Sequence, residues 1–137
     1  MTNQKMSYEE IVNFAEMSYI ALDEHLYQME DNENYGLDEE VKSNKKVISK
    51  IRKQLDKKLH EYCILENETL CGYFSELALS VGCRMDNEKL LTLYSRQVKT
   101  DEEILKLKKY VDRIKRYDND IVKLKEKIVI KMTELDI

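Results

Sequence analysis

Residues 104–135 read ILKLKKYVDRIKRYDNDIVKLKEKIVIKMTEL, and this stretch decides the fold. Ile104, Leu107, Val111, Ile114, Tyr117, Ile121, Leu124, Ile128, Met132 and Leu135 recur at steps of three or four residues. A turn of 3.6 residues places side chains so spaced on one face of a helix. Leu105, Val122, Val129 and Ile130 widen that face beyond a two-position seam. A stripe that broad asks for two helical neighbours, which favours a bundle over a bare two-stranded coil. A helix from 101 to 136 would be about 54 Å long, against a radius of gyration of about 14 Å for a compact globule of this size. The expected molecule is therefore elongated, with a ridge that a second copy or another protein covers.

Composition agrees with long helices. The 137 residues include 3 Gly and no Pro, with 42% hydrophobic and 36% charged side chains. Sandwiches and barrels need turn residues every ten positions or so, and the absence of Pro removes the commonest helix breaker. Scarce Pro, Gly and Ala beside plentiful Lys, Ile, Asn and Tyr point to an AT-rich genome, such as that of a phage or virus. Cys63, Cys71 and Cys83 have no paired spacing, which suits reduced thiols. No apolar run is long enough to span a bilayer. The expected location is the cytoplasm, or the host cytoplasm for a viral protein, with no membrane contact.

Upstream of residue 104 the chain divides into a helical hairpin at 7–66 and two short helices at 69–98, all in one domain, 1–137. Ser7 with Glu10 forms a capping box, in which the two side chains satisfy each other's orphan backbone donors. Ile11, Ala15, Tyr19, Leu22, Leu26 and Met29 then line one face, and Gly36 allows the turn that follows. The second helix starts near Asp38 and carries Val41, Asn44, Ile48, Ile51, Leu55 and Leu59 on its seam. Leu70 to Val81 suggests a short helix ended by Gly82 as a left-handed cap, with Asp86 capping the next. Thr100 and Glu103 form a second capping box before the last helix. Charge is strongly partitioned: residues 1–40 carry −10 and residues 41–58 carry +7, within a net −4. The simple expectation is an acidic first helix antiparallel to a basic second one; the sharper one is a basic face for phosphates or an acidic partner.

Motifs of chemistry are weak. The loop Asp31–Gly36 fits an EF-hand poorly, because Lys42 falls where a bidentate Glu is required. A zinc site would draw on His25, His60, Cys63, Cys71 and Cys83, of which only His60 and Cys63 share a helical face. No Gly-rich phosphate loop is present. No catalytic, cofactor-binding or metal-binding residue is assigned, and the chain is expected not to be an enzyme.

Glu76-Leu77-Ala78 followed by Gly82 resembles the first helix and turn of a helix-turn-helix, with 86–98 as the reading helix. Asn87 and Glu88 depart from it where an apolar anchor is expected, and Asp86 and Glu88 put negative charge toward phosphates. The resemblance implies an alternative function, a DNA-binding regulator with a degenerate motif at 74–98 and a helical dimerisation arm. The favoured expectation is an all-α, elongated bundle acting as a protein–protein interaction module, an oligomeric adaptor or inhibitor. Its homodimer seam would use Ile114, Tyr117, Ile121, Leu124, Ile128, Met132 and Leu135. Tyr35, Tyr110, Lys45, Arg52 and Lys53 are the candidate contacts for a protein partner.

Overall fold

The computed structural model describes residues 6–135 and is an all-α bundle of four long helices. They are α1 (Tyr8–Asn34), α2 (Asp38–Glu61), α3 (Glu68–Ser95) and α4 (Asp101–Leu135), with a 3-10 turn at Ile64–Glu66 between α2 and α3. At 1.5 Å per residue their lengths run from about 36 to 52 Å, so the molecule is elongated as its longest stripe requires. The expected last helical residue, 136, lies outside the described residues.

Local chemistry sets the helix starts. Ser7 Oγ accepts from the Glu10 amide at 3.1 Å while the Ser7 amide donates to the Glu10 carboxylate at 3.2 Å, the reciprocal box expected from the sequence. Gly36, at φ 67°, takes the left-handed turn between α1 and α2 that a side chain would oppose. Asn67 caps α3 by accepting from the Leu70 amide at 3.0 Å. Thr100 accepts from the Glu103 amide at 3.2 Å, but its hydroxyl, not its backbone, meets the Glu103 carboxylate.

Two antiparallel hairpins, α1–α2 and α3–α4, lie side by side. His25 Nδ1 meets Asn44 Oδ1 at 3.0 Å, and the Tyr62 hydroxyl donates to the Met6 carbonyl at 2.6 Å, which fixes the first register. Asn44 thus holds the hairpin seam through a histidine. Arg84 with Asp118, and the stacked Tyr94 and Tyr110, fix the second. The α1 helix lies against both α3 and α4, whereas the axis of α2 approaches only α1 and the 3-10 turn. The acidic and basic helices are neighbours, yet among the described residues no ion pair joins them.

The core fills the end where α1 and α3 begin and α2 and α4 finish. Ile11, Ile64, Leu70, Leu77, Ile128 and Met132 are its largest fully enclosed side chains. Three expectations need correction here. First, 69–98 is not two short helices: α3 passes through Gly82 without a break. A Cβ there would meet only Asp23 Oδ2, at an ordinary 3.4 Å, so Gly82 lies inside a helix facing α1 instead of ending one. Second, without that turn no helix-turn-helix forms at 74–98. Third, Ile121, Leu124, Ile128 and Met132 do not face a second copy, because α3 runs beside α4 and buries them within the chain.

Candidate interaction surfaces

The apolar stripe of α4 changes character at one level. From Ile121 onward it is enclosed; before it, no residue between Asn87 and Ile121 is buried. Ile114 and Tyr117 are half-buried there, and at the other end Leu135 is exposed. The distal part of the α3–α4 hairpin, its stalk, thus has an incomplete apolar seam. Leu90, Leu93, Tyr94, Ile104 and Leu105 are exposed on it, Ile104 by 54%. Tyr110 completes part of the seam by stacking on Tyr94 with ring centroids 5.7 Å apart, while Lys109 and Arg113 each approach its ring to 5.8 Å. This expected contact residue is half-buried in its own hairpin.

The other expected contacts lie on the first hairpin. Tyr35 stands 77% exposed at the α1–α2 turn. Lys45, Arg52 and Lys53 are exposed on α2 and border a shallow cavity of about 350 Å³ floored by Leu26, Met29 and Ile48. The structure brings those three bases together and leaves Tyr35 apart from them.

Away from the core end, the contact between the hairpins turns polar. Lys89 Nζ lies 2.9 Å from the centre of the Tyr27 ring, a cation–π contact that screens one side of the ammonium from water. Burial pulls the Lys89 pKa down against the pull of Asp23, Asp86, Glu24 and Glu30. Burial, with Asp86 alongside, raises the Asp23 carboxyl. Deeper in, burial next to Asp56 and Cys71 pushes the Tyr19 phenol up to about 12. Asn87 is buried too; its amide donates to the Cys83 carbonyl at 2.8 Å, while its Oδ1 finds no partner among the described residues.

A groove runs between α1 and α4. It holds two cavities, one of about 400 Å³ around Val12, Val129 and Ile130, the other of about 490 Å³ around Ile20, Ile121 and Val122. The Lys125–Glu16 ion pair, 2.7 Å long, crosses between them. Sequence reading missed this groove as a feature, although Val122, Val129 and Ile130 were visible as the side chains that broaden the stripe. What it could not supply was which flank α3 would cover.

Cys63, Cys71 and Cys83 are free thiols. Among the described residues no group of three His, Cys, Asp or Glu could hold a metal ion, and no helix is long and apolar enough to cross a membrane. No protein-family model matches the chain, nor does any curated protein or solved structure.

Proposed function

We propose that this chain is a non-enzymatic protein–protein interaction module that works as a homodimer, an adaptor or inhibitor that docks on a macromolecular partner in the cytoplasm. One observation carries the reading: Leu90, Leu93, Tyr94, Ile104 and Leu105 stay exposed on the distal part of the α3–α4 hairpin. A two-helix hairpin buries only one flank of each helix, so a second copy of the same stalk supplies the missing neighbours and makes a local four-helix bundle. Self-pairing by a two-fold axis uses the same patch on both chains, which is the commonest closed arrangement. The seam therefore moves from the residues enclosed in the core to the stalk, with Ile114 and Tyr117 at its lower edge.

Sedimentation equilibrium tests the proposal. Wild-type protein should show twice the 16.4 kDa chain mass. Leu93→Asp with Ile104→Asp should return it to a single chain with its helical circular dichroism intact. Leu79→Asp, an exposed apolar position away from the stalk, should leave the mass unchanged. A wild-type protein that stays a single chain at every concentration refutes the dimer.

A further inference from the structure

We infer that the groove between α1 and α4 is a docking site for a basic amphipathic helix of a partner protein. The inference rests on the reading of the chain as an interaction module but uses a face separate from the stalk. One of its cavities is lined by Val129 and Ile130 and the other, which α3 also borders, by Ile121 and Val122, eight residues away along α4. That separation is about 12 Å, close to the span between positions i and i+7 on another helix. Two apolar side chains at that spacing would enter the two cavities together, the usual mode of a helix in a groove. Ile130 is 59% exposed and Val122 55%, so both offer apolar area that nothing in the chain covers.

Charge chooses the occupant. The two cavities are bordered by six carboxylates (Glu9, Glu16, Glu24, Glu88, Asp118 and Glu126) against two cations, Lys125 and Arg84. Both cations are already engaged, Lys125 by Glu16 and Arg84 by Asp118 and Glu88. Glu9, Glu24 and Glu126 form no ion pair among the described residues. A helix whose flanks carry Lys or Arg meets a complementary rim, whereas an acidic helix is repelled along the full groove. An anionic ligand such as nucleic acid is disfavoured there for the same reason.

The test uses the full chain and a labelled peptide of about five helical turns, with leucines seven residues apart and lysines flanking them. A second peptide carries glutamate in place of every lysine. Fluorescence anisotropy should show binding of the lysine peptide and none of the glutamate peptide. Val122→Lys with Ile130→Lys should weaken binding by about tenfold or more, as removal of central anchors does. Glu24→Gln with Glu126→Gln, which changes charge and hardly changes shape, should weaken it and reduce its salt dependence. Failure of the wild-type chain to bind the lysine peptide overturns the inference, as does unchanged binding by the lysine double variant. Loss of the dimer mass in the groove variants would assign the groove to a second copy and overturn it as well. Stalk variants that abolish the dimer yet bind the peptide normally separate the two proposals.

Discussion

Ile128 and Ile104 share one stripe of one helix but should respond to truncation in opposite ways. Ile128 is fully enclosed at 0% exposure, in the cluster that includes Leu77, Val81 and Met132. Ile128→Ala removes buried methyl and methylene groups and leaves a space that the rigid helices fill only in part, which costs about 3 kcal/mol within the usual 2–5 kcal/mol range. For a domain of this size the melting temperature should fall by about 10–15 °C. Ile104 is 54% exposed, so the chain itself buries less than half of it. Ile104→Ala should cost the isolated fold at most about 1 kcal/mol. In the proposed dimer each stalk would lose its Ile104, so association should weaken by about 2–3 kcal/mol, or about 30- to 150-fold in Kd. Thermal melts at dilution sufficient to hold the protein monomeric read the first quantity, and sedimentation equilibrium reads the second. If Ile104→Ala lowers the monomer's melting temperature as far as Ile128→Ala does and leaves the mass unchanged, the division of the stripe into core and interface is wrong.

Three further outcomes follow from particular contacts. Gly82→Ala should stabilise the fold by about 0.5–1 kcal/mol, because the new Cβ meets only an ordinary contact with Asp23 and relieves the helix-propensity cost of glycine; Gly82→Leu should destabilise it by wedging α1 from α3, both read from urea midpoints. Tyr62→Phe should cost about 1 kcal/mol by urea unfolding, the loss of the 2.6 Å bond that ties the end of α2 to the Met6 carbonyl. Asp23→Asn should stabilise at neutral pH and the gain should fade in acid. A carboxyl whose folded pKa is raised favours the fold below its unfolded pKa and loses that contribution as pH rises through the higher folded value. A gain from Asp23→Asn that is equal at pH 3 and pH 7 would contradict the assigned environment.

Periodicity made α1, α2 and α4 legible, because an apolar residue every three or four positions has no other economical explanation. The caps at Ser7 and Thr100 were equally readable from their spacing to Glu10 and Glu103. Gly82 misled, since a glycine can end a helix or lie inside one, and only the unbroken course of α3 distinguishes the cases. That one ambiguity propagated. With 69–98 read as two short helices, part of the stripe was left for a partner to cover, whereas beside the continuous α3 four of the seven residues assigned to the seam are buried within the chain. The basic group Lys45, Arg52 and Lys53 was visible as composition, but its gathering around one cavity depends on where α1 lies.

The level at which the core stops has a chemical cause. Up to Met85, α3 offers α1 an apolar side chain at nearly every turn: Leu70, Phe74, Leu77, Val81 and Met85. Around and just beyond Met85 it also carries Asp86 and Lys89, and α1 answers with Asp23, Tyr27 and Glu30. Charged groups remain half-exposed unless fully paired, because stripping their water costs more than the contact returns. The lowered Lys89 and the raised Asp23 are marks of partial burial at this boundary. Beyond it α1 cannot seal the α3–α4 hairpin with apolar surface, so Leu90, Leu93 and Ile104 remain outside. Replacing the polar layer by Asp23→Leu, Asp86→Leu and Lys89→Leu would remove that obstacle. It should extend the core toward the stalk, raise the melting temperature and weaken self-association as α1 competes for the same apolar flank. If association strengthens instead, the stalk's exposed face points away from α1, and the polar layer is not what keeps it open.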